Sequence, residues 1–183
     1  MLINQYQSLS QRTSPDDGHD KLDNGIMGLI GETGEIADLY KKWKYQSTPG
    51  TELPAKRLLE ELGDVLWYTA ELATGRGRLL TEIAGSFFDL DNKAHLATPR
   101  RREIRRLVIN MSLRAAEICE HAEKKRFDRM DTSLKNLMVA MAYMACACGS
   151  SLRDVAEANI KKLKRRYPDG FDPEISMGRY EIH

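Results

Sequence analysis

The sequence predicts an all-α fold, a helical bundle formed by one domain over residues 1–183. Apolar residues recur at helical spacing along most of the chain, whereas the alternation of apolar and polar residues that marks a strand is hard to find. The composition, 42% hydrophobic and 30% charged, is that of an ordinary globular domain. Short stretches rich in glycine, proline and serine separate the helical segments. These observations together favour a bundle of helices.

Each predicted helix is bounded by a segment whose residues break helices. The breaks are PDDGHD (15–20), STPG (47–50), GRG (75–77), ATP (97–99), GSS (149–151) and PDG (168–170). The helices are predicted at 2–12, 26–45, 54–74, 79–92, 99–126, 132–148 and 151–166. After the last break, we expect residues 172–183 to form a tail that folds over a site on the bundle or frays.

Neither the total charge nor the cysteines define a class of function. The formal net charge is +1, so bulk electrostatics indicates neither nucleic acid nor a membrane surface. Cys119, Cys146 and Cys148 make no disulfide framework and are interpreted as reduced, structural residues. The sequence has no run of about 18 apolar residues, and its start does not resemble a secretory signal. We therefore expect a cytoplasmic protein that does not bind a membrane.

The segment GETGEIADLYKKW, at 31–43, spaces Glu32, Glu35 and Asp38 at intervals of three residues. Residues three apart are neighbours on a helix, where like charges are slightly destabilising unless a positive charge lies between them. A metal ion would supply that charge. The alternative is that these residues form a solvated helix face. Asp38 would either support the metal ligands without binding the metal itself or be exposed to solvent.

A second acidic pair occurs in EELGDVLWY, where Glu61 and Asp64 are three apart and Glu60 is adjacent. This pair precedes an apolar segment, and a short link makes its helix an antiparallel neighbour of the GETGE helix. Four carboxylates would then converge and raise one another's pKa values unless divalent cations neutralise them. Ligands that are all oxygen favour Mg²⁺ or Mn²⁺ over zinc.

These segments resemble a known family, the MazG-like all-α nucleoside triphosphate pyrophosphohydrolases, which are related to the dimeric dUTPases. The family signature is E-x-x-E followed by E-x-x-D, which matches GETGE and ELGDVLWY. The segment NIKKLKRRYPDGF, at 159–171, is similar to the end of the family domain, and QYQ at 5–7 is similar to its beginning. The matching segments lie between residues 5 and 171, and the stretch that separates ELGDVLWY from NIKKLKRRYPDGF is longer than in the usual pattern of the family.

The resemblance implies a nucleotide-pool housecleaning enzyme that hydrolyses a (deoxy)nucleoside triphosphate between its α and β phosphates. The products would be the monophosphate and pyrophosphate. The cofactor would be Mg²⁺, with Mn²⁺ as an alternative. A bound metal ion offsets phosphate charge and lowers the pKa of an attacking water. Either Glu35 or Glu60 would take the proton. The metal ligands would be Glu32, Glu35, Glu61 and Asp64.

Four further residues are candidates for binding the substrate: Lys42, Asn159, Lys162 and Arg166. Lys42 lies two turns after Glu35 on the same face, where it reaches a phosphate or remains an exposed lysine. Asn159, Lys162 and Arg166 share one face of the last predicted helix and form a positive stripe that suits a triphosphate. The base, the sugar and the number of phosphates depend on the shape of the pocket and stay open.

A weak internal repeat divides the chain into halves at 1–97 and 98–171. LRAAEICEHAEKK (113–125) resembles GETGEIADLYKK, and LKNLMVAMAY (134–143) resembles LEELGDVLWY. Glu117 then matches Glu35, but the residues opposite Glu32, Glu61 and Asp64 are Arg114, Asn136 and Val139. The repeat predicts a fused pseudo-dimer of two four-helix-like halves whose second acidic site is degenerate. The protein would act as a pseudo-dimeric monomer or as a homo-oligomer, in the simplest case a dimer.

Two alternative functions remain open at this point. RRREIRR, at 100–106, forms a dense local cation patch that suits a helical nucleic-acid-binding protein. The near-neutral total charge argues against strong nucleic-acid binding, and this reading gives the carboxylates no role. A non-catalytic nucleotide-binding protein is the other alternative, which the four intact carboxylates disfavour.

Overall fold

The computed structural model describes residues 1–15, 20–85 and 101–177, except for the side chains of residues 101 and 102. Over these ranges the chain forms helices and no strand, which confirms the predicted all-α fold. None of the described helices is both long and apolar enough to span a membrane. The helices are α1 Ile3–Ser10, α2 Lys21–Lys41, α3 Ala55–Gly75, α4 Leu80–Ala84, α5 Arg101–Glu123, α6 Phe127–Ala147, α7 Leu152–Arg166 and α8 Pro173–Met177.

The boundaries of α2 differ from the predicted range of 26–45. The helix begins at Lys21 because the Asp20 carboxylate accepts hydrogen bonds from the backbone N–H groups of Leu22 and Asp23, at 2.9 and 3.2 Å. At its other end the α-helix stops at Lys41 and continues as a π-helical turn over Lys42–Gln46. A side-chain cap can thus begin a helix before its apolar periodicity does.

The break between α5 and α6 was also misplaced in the prediction. The sequence predicts one helix over 99–126 and the next over 132–148, whereas α5 ends at Glu123 and α6 begins at Phe127. The turn between them places Lys125 at a φ of 53°, a conformation that usually favours glycine. This turn contains neither glycine nor proline, so the sequence gives little sign of it. Residues 99 and 100, and residues 86–92 of the helix predicted at 79–92, lie outside the described residues.

Two helical hairpins form the centre of the fold. In the first, α2 packs along α3; in the second, α5 packs along α6; the hairpins meet where α2 packs against α5. The opposed pairs Gly25 with Leu72 and Gly28 with Tyr68 show that α2 and α3 run antiparallel. The closeness of α2 and α3 depends on these glycines, since a Cβ at Gly25 would lie 2.6 Å from the Leu72 side chain. The predicted antiparallel arrangement of the two acidic helices is therefore present.

The shorter helices surround the first hairpin and bring the end of the chain to it. Helix α1 packs against α3, α4 and α7, and α7 also packs against α3 and α6. The backbone N–H of Phe171 donates to the carbonyl of Arg12, 3.2 Å away, so the segment after α7 lies beside the end of α1. Residues from both ends of the sequence thereby flank the face of α3 that carries Asp64.

The two hairpins bury matching positions of the predicted repeat. Leu29 and Ile36 of α2 correspond to Met111 and Ile118 of α5, and all four side chains are buried. Helices α3 and α6 show the same agreement at two pairs of buried positions, Leu62 with Leu137 and Leu66 with Met141. This agreement supports the duplication, which stays a prediction.

The three cysteines lie on α5 and at the end of α6 as free thiols. Burial raises the pKa of Cys148 to about 11 and also raises the pKa of Cys119. A raised thiol pKa keeps the group protonated and unreactive at neutral pH. Their environment therefore fits the structural role expected from the sequence.

The close contact of α2 and α3 can be tested by one substitution made at two places in α2. Gly25→Ala places a methyl group against Leu72, and overpacking of this kind costs about 1–3 kcal/mol, partly offset by about 1 kcal/mol of helix propensity. At Gly34 the added methyl meets nothing within 4 Å. We expect Gly25→Ala to lower the free energy of unfolding and Gly34→Ala to raise it, by about 1 kcal/mol each. Urea denaturation followed by circular dichroism measures the free energy of unfolding of both variants. A change of the same sign in the two variants would contradict the close packing of α2 against α3.

Candidate active site

Three carboxylates from two helices form a cluster at the centre of the first hairpin. Glu32 of α2 lies opposite Glu61 and Asp64 of α3, with one carboxylate oxygen of each within 4.8 Å of the others. All three side chains are half-buried. Within the described part of the chain, no other group of three such ligands comes together. The structure thus brings together three of the four residues predicted to bind metal, and we call them the carboxylate cluster.

Glu35, the fourth predicted ligand, lies beside the cluster. It is one turn further along α2 than Glu32, and its side chain is exposed. Its negative charge nevertheless reaches the cluster, because it contributes to raising the pKa values of both Glu32 and Glu61. Glu35 is therefore close enough to act on the same ligand without sharing the burial of the other three.

The carboxylate cluster resists full ionisation. The pKa of Glu32 is raised from 4.5 to about 7, first by burial and then by the negative charges of Asp64, Glu35 and Glu61. The pKa of Glu61 is raised as well, again first by burial. A positive ion in the cluster would reverse both effects, and a donor set made only of carboxylate oxygens fits Mg²⁺ or Mn²⁺.

Helix α7 supplies positive and polar groups to the cluster. The Lys162 ammonium contacts both carboxylate oxygens of Asp64 at 2.5 Å. The Asn159 side-chain amide donates to the same carboxylate at 3.1 Å and is itself 3% exposed. Two of the predicted substrate-binding residues therefore hold a residue of the cluster, over a separation of almost 100 positions in the sequence.

Tyr6 of α1 orients the Asn159 amide. The fully buried phenol donates a hydrogen bond to the Asn159 carbonyl oxygen at 2.9 Å. Burial, followed by the charge of Asp64, raises the pKa of Tyr6 well above 10, so the phenol remains a donor. Gly63 leaves room for the amide, because a Cβ there would lie 2.9 Å from its nitrogen. Sequence reasoning gave Tyr6 little weight, and the only signal was the similarity of QYQ to the family's beginning.

A cavity of about 270 Å³ opens directly beside the carboxylate cluster. Glu32 and Asp64 line it, and so does Arg166, whose predicted role in substrate binding stays a prediction. Ser176 of α8 also lines it, so the described part of the predicted tail, up to residue 177, reaches the site, whereas residues 178–183 lie outside the described residues. Four aromatic side chains are also among the lining residues: Trp67, Tyr68, Tyr167 and Phe171.

The cavity wall is held by polar contacts that the sequence did not reveal. The Trp67 indole N–H donates to the Thr13 hydroxyl at 3.0 Å, which ties α3 to the end of α1. Fully buried Glu71 accepts hydrogen bonds from Ser14 at 3.0 Å and from the Asn24 amide at 3.3 Å. Asn24 lies eight positions before Glu32 on α2, a helical spacing that could have indicated a shared face.

Lys42 and Glu60 lie at the edges of the site. Lys42 pairs with Asp38 at 2.6 Å, and hydrogen bonds from Lys41 and Lys42 lower the pKa of Asp38 to about 2. Lys42 also lines a shallow depression that contains Glu35. Glu60 is exposed in a separate groove between α3 and α7. Of the two candidate proton acceptors, only Glu35 contributes to the pKa shifts of the cluster.

The corresponding region of the second hairpin holds an internal ion pair. The Arg114 guanidinium donates to Glu117 at 2.7 Å, and the Ser133 hydroxyl donates to the same carboxylate at 3.0 Å. Glu117 therefore has a positive partner from its own helix. This arrangement supports the loss of the second acidic site, which stays a prediction.

Comparison with known proteins bears on the resemblance seen in the sequence. The matches to individual curated proteins cover only short stretches. The dCTP pyrophosphatase 1 of Rattus norvegicus and that of Mus musculus are each 44% identical to this chain over 54 residues, which is 27% of this chain and 31% of theirs. Gene 37 protein of Mycobacterium phage L5 is 48% identical over 48 residues, 26% of this chain and 42% of that protein. The matched stretch thus spans less than half of each curated relative. No solved structure matches the chain.

A family model gives a longer match. The model described as dUTPase matches residues 1–167, which include the carboxylate cluster, Tyr6 and the whole of α7. The match confirms the resemblance on which the sequence analysis relied. The chain belongs to the MazG-like, all-α dUTPase family.

Proposed function

We propose that this protein is a Mg²⁺-dependent nucleoside triphosphate pyrophosphohydrolase, which cleaves a (deoxy)nucleoside triphosphate between its α and β phosphates. The observation that carries the proposal is the carboxylate cluster, two of whose residues line a cavity with aromatic walls. Membership of the dUTPase family and the similarity to proteins named dCTP pyrophosphatase support it. Since both names refer to deoxypyrimidine nucleotides, dUTP and dCTP are the first substrates to test.

Glu32, Glu61 and Asp64 would hold the metal ion, and Glu35 would complete the acidic set. When bound, Mg²⁺ or Mn²⁺ supplies charge neutralisation at the phosphate oxygens and lowers the pKa of a coordinated water. The protein contributes a fixed geometry, because three of these carboxylates lie on two helices that pack closely. Rigid placement of charged groups is a major source of rate enhancement in phosphoryl transfer.

The cavity would bind the nucleoside. Aromatic faces such as those of Trp67 and Tyr68 stack well on a nucleobase, and the two rings are packed edge to face with centroids 4.9 Å apart. Arg166 and Lys162 place positive charge where the cavity meets the carboxylate cluster, which suits the phosphate nearest the sugar. Asn159 acts mainly by fixing Asp64, and Lys42 adds charge at the opposite end.

Glu35 is our candidate for the general base. It is exposed, lies one turn from Glu32, and is not part of the cluster that would hold the metal. A carboxylate in this position can accept a proton from a water that attacks the α phosphorus. Glu60 is less suitable because it lines the groove on the α7 side of α3.

We also propose that the two hairpins are fused halves of an ancestral dimer. Within one chain, α2 packs against α5, and the buried positions of the two hairpins agree. A contact of this kind inside one chain replaces a contact between subunits. Only the first half would retain an acidic site.

The proposed reaction can be tested with a panel of triphosphates. We expect dUTP, dCTP or another triphosphate to yield the monophosphate and pyrophosphate with Mg²⁺ or Mn²⁺, little turnover with Zn²⁺, and none in excess EDTA. Ion-exchange chromatography distinguishes these products from a diphosphate plus free phosphate. Undiminished hydrolysis in EDTA, or release of free phosphate as the first product, would contradict the proposal.

The assignment of Glu35 as the general base can be tested by three matched substitutions that each remove one negative charge. We expect Glu35→Gln to lower kcat by about 10²–10⁴-fold, the usual contribution of general base catalysis. Glu60→Gln and Glu117→Gln should retain kcat within a few-fold, because neither carboxylate faces the cluster. Circular dichroism checks that all three variants are folded. If Glu60→Gln is the variant that loses activity, the assignment is wrong.

Metal binding should depend on pH through Glu32. Because its pKa in the folded protein is raised to about 7, the metal-free protein loses stability as pH rises from about 4.5 through 7. Mg²⁺ prefers the ionised carboxylate, so its affinity should be about tenfold lower at pH 6 than at pH 8. Calorimetry in buffers of different ionisation enthalpy measures the affinity and the protons released. Glu32→Gln should remove most of the difference, and equal wild-type affinity at both pH values would exclude the linkage.

A further inference from the structure

The antiparallel pairing of α2 and α3 arranges the side chains of the site in a line. At one end lies the aromatic cavity, with Tyr68 of α3 on its wall. The carboxylate cluster follows. One turn beyond Glu61 on α3 is Arg57, and further along α2 beyond Glu35 is Lys42. The line therefore runs from a cavity with aromatic walls through acidic groups to basic groups.

The basic end of this line is an open surface. A shallow depression of about 350 Å³ is lined by Glu35, Lys42 and Arg57, among others. A second depression of about 350 Å³ shares Lys42 and Arg57 with the first and extends towards the π-helical turn. Gly31 and Gly34 line the first depression, and a Cβ added at either glycine would meet no atom within 4 Å. The surface next to Glu35 is therefore free of side chains that would block a ligand.

Arg57 is available to such a ligand. The side chain is exposed, and it makes no ion pair with any residue in the described ranges 1–15, 20–85 and 101–177. Its charge reaches the cluster, where it opposes the raised pKa of Glu61. Lys42, in contrast, is already paired with Asp38. Arg57 was not identified from the sequence, although it lies four positions before Glu61 on the same face of α3.

We propose that Arg57 binds the β and γ phosphates of the substrate, so that pyrophosphate leaves along the side of the site away from the aromatic cavity. This inference rests on the proposed function. The nucleoside needs flat apolar surfaces, the reacting α phosphate needs the carboxylate cluster, and the remaining phosphates need cations. A guanidinium matches two phosphate oxygens at once, which a lysine does not. All three requirements are met when the nucleoside lies in the cavity and the β and γ phosphates lie beside Arg57.

The opposite orientation would use Arg166 as the pyrophosphate ligand, since Arg166 lies in the cavity wall. The two orientations differ in which product each arginine binds. If the proposal is correct, Arg57 contributes to the affinity for pyrophosphate and Arg166 to the affinity for the nucleoside monophosphate. Binding of the separate products therefore identifies the direction of the substrate without reliance on turnover.

The experiment is isothermal titration calorimetry with inorganic pyrophosphate and with the monophosphate product, both in Mg²⁺ buffer. We expect Arg57→Gln to weaken pyrophosphate binding by about 10–100-fold, the range for a lost charged hydrogen-bond pair. Its affinity for the monophosphate should stay within about twofold of wild type. Arg57→Lys should recover part of the pyrophosphate affinity. The matched control is Lys56→Gln, which removes the neighbouring charge on the α7 side of α3 and should leave both affinities unchanged.

The outcomes separate the two proposals. Unchanged pyrophosphate affinity in Arg57→Gln overturns the inference, as does a wild-type protein that binds no pyrophosphate. A loss of pyrophosphate affinity in Arg166→Gln alone also overturns it and establishes the opposite orientation. If the wild-type protein releases no pyrophosphate from any triphosphate, the proposed function fails, and that result is independent of Arg57.

Discussion

Repulsion between three carboxylates is the constraint on which this site depends. Glu32, Glu61 and Asp64 place oxygens within 4.8 Å of one another in half-buried surroundings. Two unit charges about 4 Å apart repel by about 1 kcal/mol in water and about 4 kcal/mol at an effective dielectric constant of 20. The pKa of Glu32 is therefore raised to about 7 even with Lys162 nearby, so the cluster is not fully ionised at neutral pH. Lys162 supplies one charge, and a divalent ion would supply the remainder.

The position of Lys162 depends in turn on contacts between distant parts of the chain. Asn159, one turn earlier on α7, donates to Asp64 and accepts from Tyr6 of α1, so three helices meet at one amide. The absence of a side chain at Gly63 permits α7 to approach α3 this closely. Buried polar groups that are fully paired specify one arrangement, because any other leaves a donor or acceptor unsatisfied. The same contacts therefore place α7 and hold the Lys162 ammonium against Asp64.

The sequence predicted the helices and the centre of the site, but not the surroundings of that centre. Spacing of three residues placed Glu61 and Asp64 on one face, and the short link to the GETGE helix predicted that Glu32 would oppose them. Periodicity does not fix how far a ligand lies from the centre, so the outlying position of Glu35 was not foreseen. Tyr6 was hidden for a different reason, because an aromatic residue on an apolar face looks like core until its hydroxyl has a partner.

The second hairpin meets the same electrostatic constraint by a different route. In the predicted repeat, Arg114 stands where Glu32 stands in the first half, and its guanidinium neutralises Glu117 at 2.7 Å. A cation that belongs to the chain offsets the carboxylate charge without a bound metal. Replacement of one acidic residue by arginine thus removes a ligand and stabilises the carboxylate that remains. If the predicted duplication is correct, Glu117 can persist as a structural residue without the rest of an acidic site, since Ser133 also donates a hydrogen bond to its carboxylate.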